Sequence, residues 1–234
     1  MTYKRSYWRD FYVTLHVQRA ACFYFIVVIG AFLSPVVHYD RLALSLLASF
    51  FFLQLSAYAL DELKGRHCGT QIPDDHYKIR AIIGLVGAFL IAVYLGFTLN
   101  IYIFILAIIG AVVVVGYNFE VLGLHSRLIF MFSWAFYPLI TNYYLQSLSI
   151  PTIPVIMFGI AVSVFAYLHI ISYGNFSCRL ETCVDMPRHD CHGQSCFTRR
   201  TLPRGVHKLQ KQIAYLEVVF LFVITLSVIA LHFG

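Results

Sequence analysis

Seven stretches of the chain are apolar on every side, and a backbone wrapped in such side chains must satisfy its own hydrogen bonds. They run Ala20–Val37, Leu42–Leu60, Ala81–Leu99, Ile101–Tyr117, Leu128–Leu148, Ile150–Tyr173 and Ile213–Phe233. Each comes close to the about 20 residues that a helix needs to cross a bilayer. Strands of a membrane barrel would alternate apolar and polar residues over segments of about 10. Ile101–Gly116 shows no alternation, so these segments read as helices. No Asp, Glu, Lys or Arg falls in the first six, and only Glu217 falls in the seventh. Charged residues make up 12% of the 234, about half the share found in a soluble domain. A water-soluble globular domain is thereby excluded, and the expected fold is all-α: a polytopic transmembrane bundle of about seven helices.

The charges that remain give an orientation. Lys and Arg collect in cytoplasmic loops, and 16 of the 17 fall on one side of this arrangement, at the N-terminus and after spans two, four and six. Arg41 alone falls on the other side. The expectation is a protein of the cell or inner membrane with a cytoplasmic N-terminus and an external C-terminus. Residues 1–19 then form a cytoplasmic segment, and 20–234 form one transmembrane domain with cytoplasmic loops 61–80 and 174–212. The net charge of +6 follows from this topology and from attraction to anionic lipid headgroups, with no nucleic-acid partner needed. Residues 1–20 show no cleavable signal, so the first span is the expected insertion signal.

The external turns are reduced to Asn100 and Ser149, whereas both long loops lie on the cytoplasmic face. Loops of that length in compact proteins are usually functional or disordered. In the first, ALDELKGRH, Asp61 and Glu62 sit at the C-terminal end of span two, where the helix dipole disfavours negative charge. That placement asks for a cation, either a metal or Lys64 and Arg66. The second loop holds Asp185, Asp190, Arg199 and Arg200, which is the chemistry of a Mg²⁺–phosphate ligand. It also holds Cys178, Cys183, Cys191 and Cys196 with His189 and His192, which are donors for Zn²⁺ or another transition metal. The Cys spacing matches no standard zinc ribbon, so reduced structural thiols stand beside the metal reading.

Four segments taken together resemble the UbiA superfamily of intramembrane prenyltransferases. ALDELKG closes span two, where the family has its first Asp-rich motif. RRTLPRG follows span six, with Thr201, Leu202 and Pro203 where the family has a T-L-P tripeptide after its second Asp motif. VVGYNFEVLGLHSR resembles the family's tyrosine-bearing turn, and YPLITNYYLQ resembles its G-P-x-x-x-x-G-Y-Y-x-Q stretch. The resemblance runs from about Thr14 to Leu216, although family members typically have nine helices.

It implies transfer of a polyprenyl group from its diphosphate to a lipid-soluble, aromatic or similar acceptor. Asp61, Glu62, Asp185 and Asp190 would hold Mg²⁺, and Arg66, Lys78, Arg199 and Arg200 would hold diphosphate. Asp61 and Asp190 would be catalytic, with Tyr58 and Tyr117 facing the allylic cation. The chain departs from the pattern where Ala57 and Tyr58 replace an Asn and an Asp, and where Gln194 replaces a carboxylate. Two further readings stand beside transfer. One is a non-catalytic UbiA-like subunit of a larger membrane complex, binding isoprenoid, quinone or pigment. The other is a membrane metal or thiol protein built on the Cys/His loop. Membrane lipid, a membrane-protein partner and a second copy of the chain are the expected partners. Gln54, Asn142 and His169 are polar groups inside spans, costly unless they face the bundle interior.

Overall fold

The computed structural model describes residues 7–65, 72–118, 127–174 and 204–233, and all of its regular structure there is helical. α1 spans Tyr7–Thr14 and α2 spans Val17–Phe32. α3 runs unbroken from Tyr39–Ser49 through a π-helical stretch, Phe50–Ala57, into Tyr58–Gly65. α4 is Asp74–Thr98 and α5 is Ile101–Asn118. α6 joins Arg127–Met131, a π-helical Phe132–Phe136 and Tyr137–Ser147. α7 is Ile153–Gly174 and α8 is Arg204–Phe233. Each apolar run contributes to a helix from α2 to α8, although α2 ends at Phe32, five residues short of the first run's end at Val37, and α1 is an additional short helix that hydropathy does not mark.

Two stretches among the described residues, Tyr39–Leu63 and Asp74–Thr98, are long and apolar enough to cross a membrane. Shorter apolar stretches, Ala20–Phe32, Ile101–Tyr117, Ile153–Phe165 and Val218–Phe233, lie in α2, α5, α7 and α8.

The 61–80 loop is shorter than the hydropathy boundary implies. Residues 61–65 complete α3, and Asp74 already begins α4. Pro73, with φ −60° and ψ 147°, sets the helix start, and its carbonyl accepts from His76 N at 3.1 Å. Asp74 and Asp75 then occupy the first turn, where the helix dipole favours negative charge. Residues 204–212 likewise belong to α8 and not to the 174–212 loop.

Close helix crossings rest on glycine. A β-carbon at Gly30 of α2 would run into the backbone carbonyl of Leu139 in α6. One at Gly84 of α4 would lie 2.5 Å from Phe51 O and 2.6 Å from Ser56 N of α3. Small residues that admit a neighbouring backbone are a usual device of membrane helix packing. Around the first crossing Ile26, Ile29, Ala135, Leu139, Tyr143, Val155 and Val162 form a buried cluster.

At one end of the bundle the connections are tight. Asn100 Oδ1 accepts from Tyr102 N at 2.9 Å between α4 and α5. Leu148 ends α6 with φ 51°. The segment between α2 and α3 is strapped to α6: His38 N donates to Gln146 Oε1 at 2.7 Å. Arg41 Nη1 donates to Leu145 O at 3.2 Å and to Gln146 O at 3.0 Å. A guanidinium on the last carbonyls of a helix satisfies orphan acceptors and opposes the negative dipole end. This end is called the far end below. The near end holds α1, the C-terminal turn of α3 and the start of α4.

Candidate functional site

A cavity of about 740 Å³ lies between α3, α4, α5 and α6, within the range of about 300–1,000 Å³ typical of ligand pockets. α3 lines it from Ser45 to Asp61, which at about 1.5 Å per residue makes it roughly 24 Å long. At the far end Leu95, Ile103 and Leu145 line it and pack as one buried cluster. The site is an elongated cavity with unlike ends that also opens between α4 and α5, where the exposed Val86, Phe89, Ile108 and Val112 line it.

The near end is aromatic. Trp134 is the hub, with ring centroids 5.7 Å from Phe23, 5.8 Å from Phe130 and 6.5 Å from Tyr58. Tyr117 adjoins Phe130 at 5.5 Å. All five rings line the cavity, and Asp61 lines it among them. A box of ring faces beside a carboxylate attracts positive charge twice over, through the ring quadrupoles and through the anion.

Polar side chains along the cavity mostly bond within the protein. Asn142 Nδ2 donates to Pro138 O at 2.8 Å, and Ser45 Oγ donates to Leu42 O at 2.9 Å. Tyr137 OH donates to Leu106 O. Behind the wall Tyr24 OH donates to Gln54 Oε1 at 2.7 Å, giving the amide of Gln54 an interhelical partner. The middle of the cavity therefore presents mainly hydrocarbon to a ligand.

The π-helical stretches lie in α3 and α6, the two helices that carry Asp61 and Trp134. A π turn widens the helix and displaces backbone carbonyls, and such turns are frequent at functional sites. One carbonyl in the α3 stretch, Leu55 O, accepts from Arg80 Nε at 3.4 Å.

Among the residues expected from sequence, Tyr58, Asp61 and Tyr117 are brought to the same cavity, and Tyr137 lines it further in. Glu62 is fully buried and lies off the cavity wall. Successive helical residues point about 100° apart, so adjacency in sequence separates the two carboxylates instead of pairing them. Lys78 is exposed at the start of α4, with Nζ 3.0 Å from Asp75 Oδ1. Arg66, Asp185, Asp190, Arg199, Arg200, Cys178, Cys183, Cys191, Cys196, His189 and His192 lie outside the described residues, as do the side chains of His169 and Glu217.

Among the described residues no three His, Cys, Asp or Glu side chains converge as a metal site. Among the described residues Asp61 alone offers a carboxylate at the cavity. One carboxylate fits a Mg²⁺ ion that takes most of its remaining oxygens from a bound diphosphate and water, a binding mode usual for this ion. Phe23, Phe130 and Trp134 are cavity-lining residues that the sequence reading passes over. Their only advance signal is that Phe130 and Trp134 lie one turn apart on α6 and so share a face.

Compared with protein-family models, with curated proteins and with solved structures, the chain has no significant match.

Proposed function

We propose that the chain is an integral membrane protein of UbiA-like architecture that binds an isoprenoid-class lipid in this cavity, with the ligand's polar end at Asp61. The observation that carries the reading is the cavity itself: apolar along its length, open between α4 and α5 where a hydrocarbon chain could enter from the bilayer, and bounded at its near end by five rings and a carboxylate. A branched, unsaturated hydrocarbon chain suits the first part and its polar terminus suits the second. The membrane setting is supported by the exposed Ile82, Ile83, Leu90 and Phe97 of α4, which lie off the cavity, an apolar face that water would not favour. The Lys and Arg count supports a near end in the cytoplasm and a C-terminus outside.

The aromatic box favours a second reading of the same site, prenyl transfer to a lipid-soluble acceptor. Loss of diphosphate from an allylic donor leaves a delocalised carbocation. The faces of Tyr58, Tyr117 and Trp134 would stabilise it, and their walls would keep water from capturing it. Asp61 would hold Mg²⁺, whose charge would offset that of the diphosphate. Asp190 and Asp185, with Arg66, Arg199 and Arg200, would complete the headgroup site.

Native mass spectrometry of gently extracted protein with farnesol, farnesyl diphosphate and Mg²⁺ tests both. Lipid binding requires one farnesol per chain. Transfer requires in addition that Mg²⁺ tighten farnesyl diphosphate, that Asp61→Asn remove this gain, and that an aromatic lipid acceptor become prenylated. Farnesol retention without any Mg²⁺ effect leaves the binding function alone. No retention of either lipid overturns the proposal.

A further inference from the structure

One buried residue beside the cavity has a backbone that its side chain does not favour. His16, between α1 and α2, has φ 45° and ψ 49°, the left-handed region in which a β-carbon crowds the following carbonyl. Glycine would adopt it freely. The same residue starts α2, its carbonyl accepting from Ala20 N at 3.0 Å. A non-glycine residue held there is over-determined by its surroundings.

The surroundings are specific. The His16 imidazole meets Tyr58 in a T-shaped contact, with ring centroids 4.7 Å apart and planes at 69°. Tyr58 is buried and lines the near end of the cavity. The elbow that carries His16 is fixed from α4. Arg80 Nη1 donates to Thr14 Oγ1 at 2.7 Å and Nη2 donates to Thr14 O at 3.4 Å. The guanidinium also stands 5.5 Å from the Phe11 and Tyr77 ring centroids. Thr14 Oγ1 in turn donates to Phe11 O at 2.8 Å, tying the elbow to α1. The strained residue is thus clamped two positions away and pressed against a ring of the binding site.

We infer that His16 is a positioning residue: its imidazole sets the orientation of Tyr58, and thereby the shape of the aromatic box around the ligand's polar end. The inference rests on the cavity being the lipid site. It assigns to the α1–α2 elbow a part in ligand recognition, although no residue of the elbow lines the cavity.

The test separates side chain from backbone. The chain has two tryptophans, so Trp8→Phe leaves Trp134 as the sole indole, 6.5 Å from Tyr58. In that background His16→Gly removes the ring and relieves the left-handed backbone, whereas His16→Phe keeps a ring and keeps the strain. The expected result is a crossed order. His16→Gly is at least as stable as the parent but binds farnesol about three- to tenfold more weakly, the worth of one aromatic pair. His16→Phe is the less stable of the two yet binds within about twofold of the parent. Unliganded Trp134 emission shifts in His16→Gly and not in His16→Phe. An unshifted emission together with unchanged farnesol affinity in His16→Gly overturns the inference. If the parent binds no farnesol, the lipid-binding reading fails, and the unliganded emission still decides whether His16 orients the box.

Discussion

The two faces of α3 are built to opposite ends. Toward α4, the π-helical stretch is closed by backbone contact: Gly84 admits Phe51 O and Ser56 N, Gly87 admits the Phe51 ring, and Arg80 reaches Leu55 O. Toward α5 and α6, the same helix leaves Leu53, Ala57, Tyr58 and Asp61 facing a space of about 740 Å³. The first face has no room for a methyl group, and the second has room for a lipid. The contrast teaches that stability and recognition are divided across one helix, so substitutions on the two sides should fail in different assays.

Gly84→Leu should break the closed face most severely. With backbone and not a flexible side chain in the way, we expect a loss of about 3 kcal/mol, read by chemical denaturation in detergent. A variant of parental stability would mean that α3 and α4 do not touch there. Arg80→Met should cost about 2 kcal/mol, the scale of charged hydrogen bonds lost from a buried group. Protease cleavage near α1 should rise with it, because the elbow loses its clamp. On the open face Ala111→Phe, whose site lines the cavity, should weaken farnesol binding about tenfold or more with little change in the denaturation midpoint. Unaltered binding would show that the lipid lies elsewhere. Lys78→Met, which removes an exposed ion pair with Asp75, should leave the denaturation midpoint unchanged.

The helices were legible because seven long apolar runs have no other way to satisfy their backbones. Their ends were less so. Pro73 and the acidic pair Asp74–Asp75 extend α4 about two turns beyond its apolar part, which hydropathy cannot register. Tyr58, Asp61 and Tyr117 could be singled out from local motifs, and the structure places all three on one cavity. Glu62 was grouped with Asp61 by adjacency, but a helix turns neighbours to different faces. Trp134 and Phe130 carried only their one-turn spacing as a signal, too weak to stand out in a chain with 21 Phe and 16 Tyr, because any single ring has an interfacial explanation. Arg80 counted only toward orientation, since its partner Thr14 lies 66 positions away. His16 had no pattern at all. Its conformation and its contact with Tyr58 exist only in three dimensions.

The strap at the far end also sets an order of events. Arg41 caps carbonyls that lie 104 and 105 positions later in the chain. During synthesis α2 and α3 are complete long before α6 has emerged, and domains assemble from the N-terminus as they are made. Until Leu145 and Gln146 arrive, the Arg41 guanidinium has no helix end to hold. The strap therefore forms only after α6, which supplies Leu145 to the cavity wall, is in place, so a chain truncated before residue 145 lacks both the strap and that part of the wall.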